Sequence, residues 1–279
     1  MKDPALIFIE KNHSYQSFSP EDKIDWTSVT AFVNIFKKKF DPIAQSIKSS
    51  KNPRSKWYGL PPEEIQKHWS DEANRAATTG TAFHNQREAD LTGIDTIERC
   101  GVQVPIIKPI YQDGVKYAPD QKLVEGIYPE HLVYLKSAGI CGQSDRVEVV
   151  KGVVDIVDYK TNKEIKTKGF TNWEGITDKM LGPCAHLDDC NYNHYALQLS
   201  TYLYIILKQN PIFRPGKLSL HHIIFQKEAE DKFGNPIYKK DENGDPIVEK
   251  LVSYEVPYLK EEVKNMIAWL QDNKTNLKK

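Results

Sequence analysis

The chain has 279 residues, 38 Lys plus Arg against 38 Asp plus Glu, 39 % hydrophobic and 27 % charged residues. This describes a globular protein with a sizeable core, as one large domain or two small ones, and excludes a disordered chain. The balanced charge excludes a globally basic polyanion binder, and the longest apolar stretches are too short to cross a bilayer.

Met1-Lys2-Asp3-Pro4 leads into Leu6-Ile7-Phe8-Ile9 without a cleavable signal pattern, so an intracellular, reducing setting is expected. Cys100, Cys141, Cys184 and Cys190 are then expected as free thiols. Residues 5–19 read as a short β-hairpin. A helix capped at Thr27 or Ser28 follows through about Phe40, with Val29, Phe32, Val33, Phe36 and Phe40 at helical spacing. Residues 50–62 form a loop. Pro62, Glu63 and Glu64 open a helical stretch to about Leu91, which the interruption at Thr78-Thr79-Gly80 leaves as one helix or two. A Pro- and Gly-containing loop covers 101–122. Strands follow at Ile127–Leu135, Ile140–Val150 and Val153–Lys160, then a polar connection over 161–190. Asn193–Gln209 is helical and Lys217–Gln226 a strand. Residues 232–255 form a hairpin about Asn243-Gly244, and Pro257–Asn276 an amphipathic helix with Val263, Met266, Ile267 and Leu270 inward. No internal repeat is visible.

Charge is unevenly distributed. Lys37, Lys38, Lys39, Lys48, Lys51, Arg54 and Lys56 face only Asp41 between Phe36 and Trp57, and Lys160, Lys163, Lys166 and Lys168 enclose only Glu164. Such runs usually form solvated surface; beside an acidic site they suit a groove that follows phosphates.

The chemistry concentrates on the stretch from Gly142 to Lys160. Two β-branched runs flank Lys151-Gly152, a hairpin signal. With a two-residue loop, paired positions sum to 303, so Asp145 faces Asp158, and Lys160 points to the same side as Asp158. A three-residue loop would instead place Asp145 opposite Val157 or Tyr159. Like charges directly opposed across a strand pair are destabilising. A divalent cation between Asp145 and Asp158 removes that repulsion; the bland alternative is a solvent-facing strand edge kept soluble by Asp and Lys. Val153, Val154, Ile156 and Val157 put apolar residues on both faces, as a strand covered on both sides requires.

Other residues join by spacing. Gly80, His84 and Glu88 stand four apart on one helical face, where Gly80 permits close approach and His84 offers a neutral nitrogen. Gln198 and Tyr202 also stand four apart, as site residues or as a stripe facing water. A four-residue Lys136–Gly139 loop makes paired positions sum to 275 and sets Glu130 opposite Asp145. Cys184, His186, Cys190 and His194 are possible zinc ligands, but their spacing does not match a finger that opens with two close cysteines.

Gly80-x-x-x-His84-x-x-x-Glu88, Gly142-x-x-Asp145, Asp158-Tyr159-Lys160-Thr161 and Gln198-x-x-x-Tyr202, in this order, resemble the RecB-like exonuclease branch of the PD-(D/E)XK nuclease superfamily. Trp26-Thr27-Ser28-Val29-Thr30 is similar to the Ser-Val-Thr entry of phage and mitochondrial single-strand exonucleases of that branch. The likeness covers about residues 26–206, and departs at Asp158, where many members carry Glu. The cysteines do not complete the iron–sulfur pattern of some relatives.

The resemblance implies an α/β, restriction-endonuclease-like fold: a mixed central β-sheet flanked by helices, with an N-terminal helical extension. Residues 1–75 would be a hairpin and helical wall, and 76–279 the nuclease core with a C-terminal hairpin and helix. It further implies that Asp145 and Asp158 hold Mg²⁺ or Mn²⁺, with His84 and the Tyr159 backbone carbonyl completing the shell, and that Lys160 orients the attacking water. Glu88, Glu130, Gln198 and Tyr202 would brace the site or contact DNA, and Trp57, Tyr58 and Trp69 would stack on unpaired bases. The implied activity is a metal-dependent exonuclease on single-stranded or end-exposed DNA, in replication, recombination or repair. Alternatives are an endonuclease and a non-catalytic nucleic-acid-binding module with the same fold, with or without a zinc tie at Cys184 and its neighbours.

Overall fold

The computed structural model describes residues 5–118 and 120–273; Met1–Pro4 and the last residues of the expected C-terminal helix lie outside them. β1 (Leu6–Ile9) and β2 (Ser14–Ser17) form the expected hairpin, with Leu6 opposite Ser17. β3 (Thr27–Ser28) leads into α1 (Val29–Asn34), where the Ser28 hydroxyl accepts the Ala31 amide at 3.1 Å as an N-cap. The helix stops short of the expected Phe40. Tertiary bonds recapture the chain there: the Phe36 carbonyl accepts the Leu181 amide, the Lys38 amide donates to Asp189, and Phe40 lies exposed. α2 (Pro42–Lys51) has its own start signal, Asp41 accepting the Ile43 and Ala44 amides ahead of Pro42.

α3 (Pro62–Thr92) is a single helix of 31 residues, not two. The Thr78 hydroxyl donates back to the Asn74 carbonyl within the helix. The 75/76 boundary therefore falls inside one helix. The expected loop over 101–122 is also corrected. β4 (Thr96–Arg99) pairs with β5 (Val102–Pro105), and β6 (Ile110–Gln112) with β7 (Val115–Tyr117). The turns Cys100-Gly101 and Asp113-Gly114 have positive φ at both residues, the backbone a two-residue hairpin needs. β7 also pairs with β1, so the N-terminal hairpin is joined to residues 110–117 in a four-stranded sheet ordered β2-β1-β7-β6.

β8 (Gly126–Leu135), β9 (Ile140–Val150) and β10 (Val153–Lys160) form the antiparallel centre of the main sheet. After α4 (Asn191–Gln209), β11 (Arg214–Phe225) lies parallel to β10. β12 (Lys227–Glu230) and β13 (Pro236–Tyr238) form a small hairpin, and β14 (Val248–Val256) pairs with β11. The expected 232–255 hairpin is thus corrected: Asn243-Gly244 makes a turn, but β14 prefers the long apolar edge of β11 to short β13. The chain closes with α5 (Lys260–Asn273), which buries Val263, Met266, Ile267 and Leu270.

The main sheet runs β14-β11-β10-β9, with β8 and β3 both beside β9. The fold is mixed α/β, with helices on both faces. On one face, Val147, Val149, Val154 and Ile156 pack with α1, α4 and α5 in the main core. On the other, Val157, Tyr159, Ile223 and Phe225 meet Phe83 of α3. No helix of the described residues is long and apolar enough to cross a membrane.

Candidate metal centre

β9 is the axis of the site. Both expected registers hold: Val150 faces Val153 in the β9–β10 hairpin, and Leu135 faces Ile140 in the β8–β9 hairpin. β10 pairs with β9 only as far as Val157 opposite Arg146, and β3 meets β9 only at Ile140 and Cys141. Between these two partners, the β9 edge from Gly142 to Asp145 has no strand beside it. In that gap the Asp145 carboxylate accepts the Tyr159 amide at 2.7 Å, replacing the missing ladder bond.

Side chains two apart share a face, so Asp145 follows Val147 and Val149, and Asp158 and Lys160 follow Val154 and Ile156. The core face thus becomes polar at its end. There His84 Nδ1 approaches Asp145 Oδ2 at 3.3 Å and Glu130 Oε1 at 3.8 Å. His84, Glu130 and Asp145 offer ligand atoms all within 4.8 Å of one another, the one such group among the described residues. Glu130, expected only as a supporting residue, belongs to this group. Asp158 is 2 % exposed and pairs with Lys160 Nζ at 2.5 Å.

The electrostatics follow from crowding. Burial alone would lower the His84 value, but the Asp145 and Glu130 carboxylates outweigh it and hold the imidazole up at about 10. Burial, then the nearby Asp145 charge, pushes Glu130 upward against the pull of His84. Asp145 is held below the usual range because His84, Lys160 and the Tyr159 amide outweigh its own burial. Burial raises Asp158 to about 6 despite Lys160. Glu130 and Asp145 thus share the single charge of His84, while Lys160 is taken by Asp158 and Lys116 by Glu88, which leaves one carboxylate's charge for a cation to balance.

A cleft of about 780 Å³ opens over this cluster, lined among others by His84, Glu88, Glu130, Asp145, Lys160, Gln198 and Tyr202. Lys160 lies 4.7 Å above the Tyr195 ring, whose hydroxyl donates to Asn162. Tyr202 is buried beside Gly142, where a Cβ would come within 2.8 Å of its ring, and its hydroxyl accepts from Gln198 at 3.2 Å. Gly80 lets α3 approach Thr161, whose hydroxyl would stand 3.3 Å from an added Cβ.

Glu88 is engaged internally. It accepts from the Tyr111 hydroxyl at 2.7 Å and from the ammonium of Lys116 at 3.3 Å. Lys116 is fully buried, also donating to the Glu130 carbonyl and to Gln143 Oε1, while the Gln143 amide donates to the Glu130 carboxylate. Sequence reasoning missed Lys116, Tyr195 and Gln143. Only Gln143 carried a signal, standing two residues before Asp145 on the same face. Trp57, expected to stack on bases, is buried against Phe233 at 4.6 Å; Trp69 is half-buried and Tyr58 exposed.

The four possible zinc ligands do not gather. His186 pairs with Glu262 at 3.1 Å, His194 with Asp189 at 2.6 Å, and Cys184 and Cys190 are buried free thiols.

No protein-family model and no curated protein matches the chain. Among solved structures, that of SSO0001 aligns over 97 % of this chain and 82 % of its own, at 13 % identity and a TM-score of 0.34. So loose a likeness carries no argument about fold or activity.

Proposed function

We propose that the chain is a divalent-metal-dependent deoxyribonuclease of the RecB-like PD-(D/E)XK type, with the restriction-endonuclease-like sheet that this implies. It acts as an exonuclease on single-stranded or end-exposed DNA. The observation that carries the reading is the convergence of His84, Glu130 and Asp145 within 4.8 Å, beside a lysine held by Asp158.

The donor set fits the group: two carboxylates and one imidazole suit Mg²⁺ or Mn²⁺, the imidazole tilting the choice toward Mn²⁺. Glu130 and Asp145 would hold it from the sheet and His84 from α3, with Asp158 and the Tyr159 carbonyl as further donors by the resemblance. When bound, the cation opposes charge on the phosphate and acidifies a nearby water. Asp158 and the Tyr195 ring hold Lys160 at the cleft wall, where its ammonium orients the attacking water and stabilises the negative charge growing on the phosphate. Gln198 holds the Tyr202 hydroxyl and lines the path of the backbone.

The test is digestion of 5′- and 3′-labelled single- and double-stranded DNA and of closed circular DNA, with Mg²⁺, Mn²⁺ or EDTA. Linear DNA should be degraded with Mn²⁺ and spared in EDTA, and the circle should survive. Lys160→Ala should lower the rate by about 10²–10³, the loss typical of one transition-state donor. Cleavage of the circle would favour an endonuclease. Undiminished cleavage by Lys160→Ala and Asp145→Asn would sink the mechanism.

A further inference from the structure

Beside the metal cleft lies a second cavity of about 450 Å³, and the two share Ala76, Thr161 and Asn162 in their walls. α3 and the β12–β13 hairpin both contribute to it. The hairpin is fixed in place, since Lys56 donates to the Phe233 carbonyl, Phe233 stacks on Trp57, and Lys163 Nζ donates to Asn235 Oδ1 at 2.8 Å.

Lys56, Arg75 and Lys163 bring three cations into these walls against one acid, Glu72, which pairs with both Arg75 and Lys163. The Arg75 and Lys163 side chains are each 49 % exposed, so a ligand reaches them. Trp69 and Tyr238 add half-buried rings to the same walls. Surplus positive charge beside ring faces is the chemistry that takes an unpaired polynucleotide, with phosphates on the cations and bases against the rings. A duplex keeps its base faces stacked inside and offers none to such rings.

Resting on the nuclease reading above, we propose that this second cavity is a subsite for single-stranded DNA running on from the scissile phosphate past Thr161 and Asn162. Arg75 and Lys163 take phosphates, and Trp69 takes a base. The substrate must therefore carry an unpaired stretch long enough to fill both cavities.

The test is equilibrium binding of a fluorescein-labelled oligothymidylate in EDTA, read by anisotropy over a salt series, with a hairpin duplex as the control. Arg75→Gln/Lys163→Ala should lower the slope of log Kd against log salt by about 1.4, two single-strand phosphate contacts' worth. Trp69→Leu should weaken single-strand binding about tenfold, as loss of one stacked base does. Both variants should leave duplex binding unchanged. An unchanged slope in the double variant, whose side chains are solvent-exposed and whose loss spares the core, would overturn the subsite. So would equal losses for single strand and duplex. Because no turnover is needed, a protein that binds as expected yet cuts nothing would refute the nuclease reading alone.

Discussion

Glu130 sits in left-handed backbone, φ 46°, inside a strand whose register on β9 is the same on either side of it. Such strain in a non-glycine residue is of the order of 1–3 kcal/mol and persists only where neighbours impose it. Here Lys116 holds its carbonyl and Gln143 its carboxylate. Glu130→Gly removes the strain and the buried acid together. Its metal-free melting temperature should therefore rise, while the stabilisation that Mn²⁺ gives the wild type should vanish; calorimetry with and without Mn²⁺ reads both. Gly142 is constrained from outside, since a Cβ would meet Tyr202 at 2.8 Å and Val29 at 3.1 Å. Gly142→Ala should destabilise by about 1–3 kcal/mol, the usual range for overpacking. In a double-mutant cycle with Tyr202→Ala much of that penalty should disappear. At this scale the acids were legible because alternation along β9 and β10 follows from the two hairpin registers. Lys116 was not: a lysine between two tyrosines and a glycine turn looks like surface until β7 is placed against β1.

The helix α3 carries His84 but buries little, Ile65 being its one fully covered residue. It is held by Ile65 and Trp69 near its start, by Phe83 midway and by Leu91 near its end. His84 is the helix's contribution to a cluster whose carboxylates belong to the sheet. Binding of Mn²⁺ should therefore slow hydrogen exchange in the α3 turns around His84 more than in α5, which is anchored by its own core residues. Mass-spectrometric exchange with and without Mn²⁺ measures this, and equal changes in both helices would refute it. Element existence was largely readable where apolar periodicity was strong, as in β8 to β10, α4 and α5. It failed where the signal was a turn: Cys100-Gly101 and Asp113-Gly114 supply left-handed pairs as Lys151-Gly152 does, yet the strands around them are only three or four residues long. It also failed at β14, because the competition between β13 and β11 for that strand is decided by tertiary packing.

Across the whole molecule, stability should depend on acid through histidines kept neutral. His194 is the clearest case away from the metal cluster. Burial, then Lys37, holds it below the ordinary value, outweighing the pull of Asp189. A depressed folded value means the unfolded chain binds the proton first as pH falls below about 6.5. The contribution is complete above that pH and is lost as pH drops toward the folded value. His194→Gln should therefore flatten the stability curve on the acid side of neutrality, as urea unfolding at a series of pH values would show. The mixed α/β architecture and the order of its central strands were legible from the sequence; the four-stranded sheet that ties the first residues to 110–117 was not, because its strands are distant in the chain and individually too short to announce themselves.

One strand serves as the common rail for both neighbours that border the opening, and each neighbour reaches it through a turn of fixed length. A single residue gained or lost in Lys136–Gly139 or Lys151–Gly152 would turn Glu130, or Asp158 with Lys160, to the opposite side of the sheet. Length changes among homologous chains should accordingly collect in exposed loops such as 173–176 and 241–245 and spare these two turns.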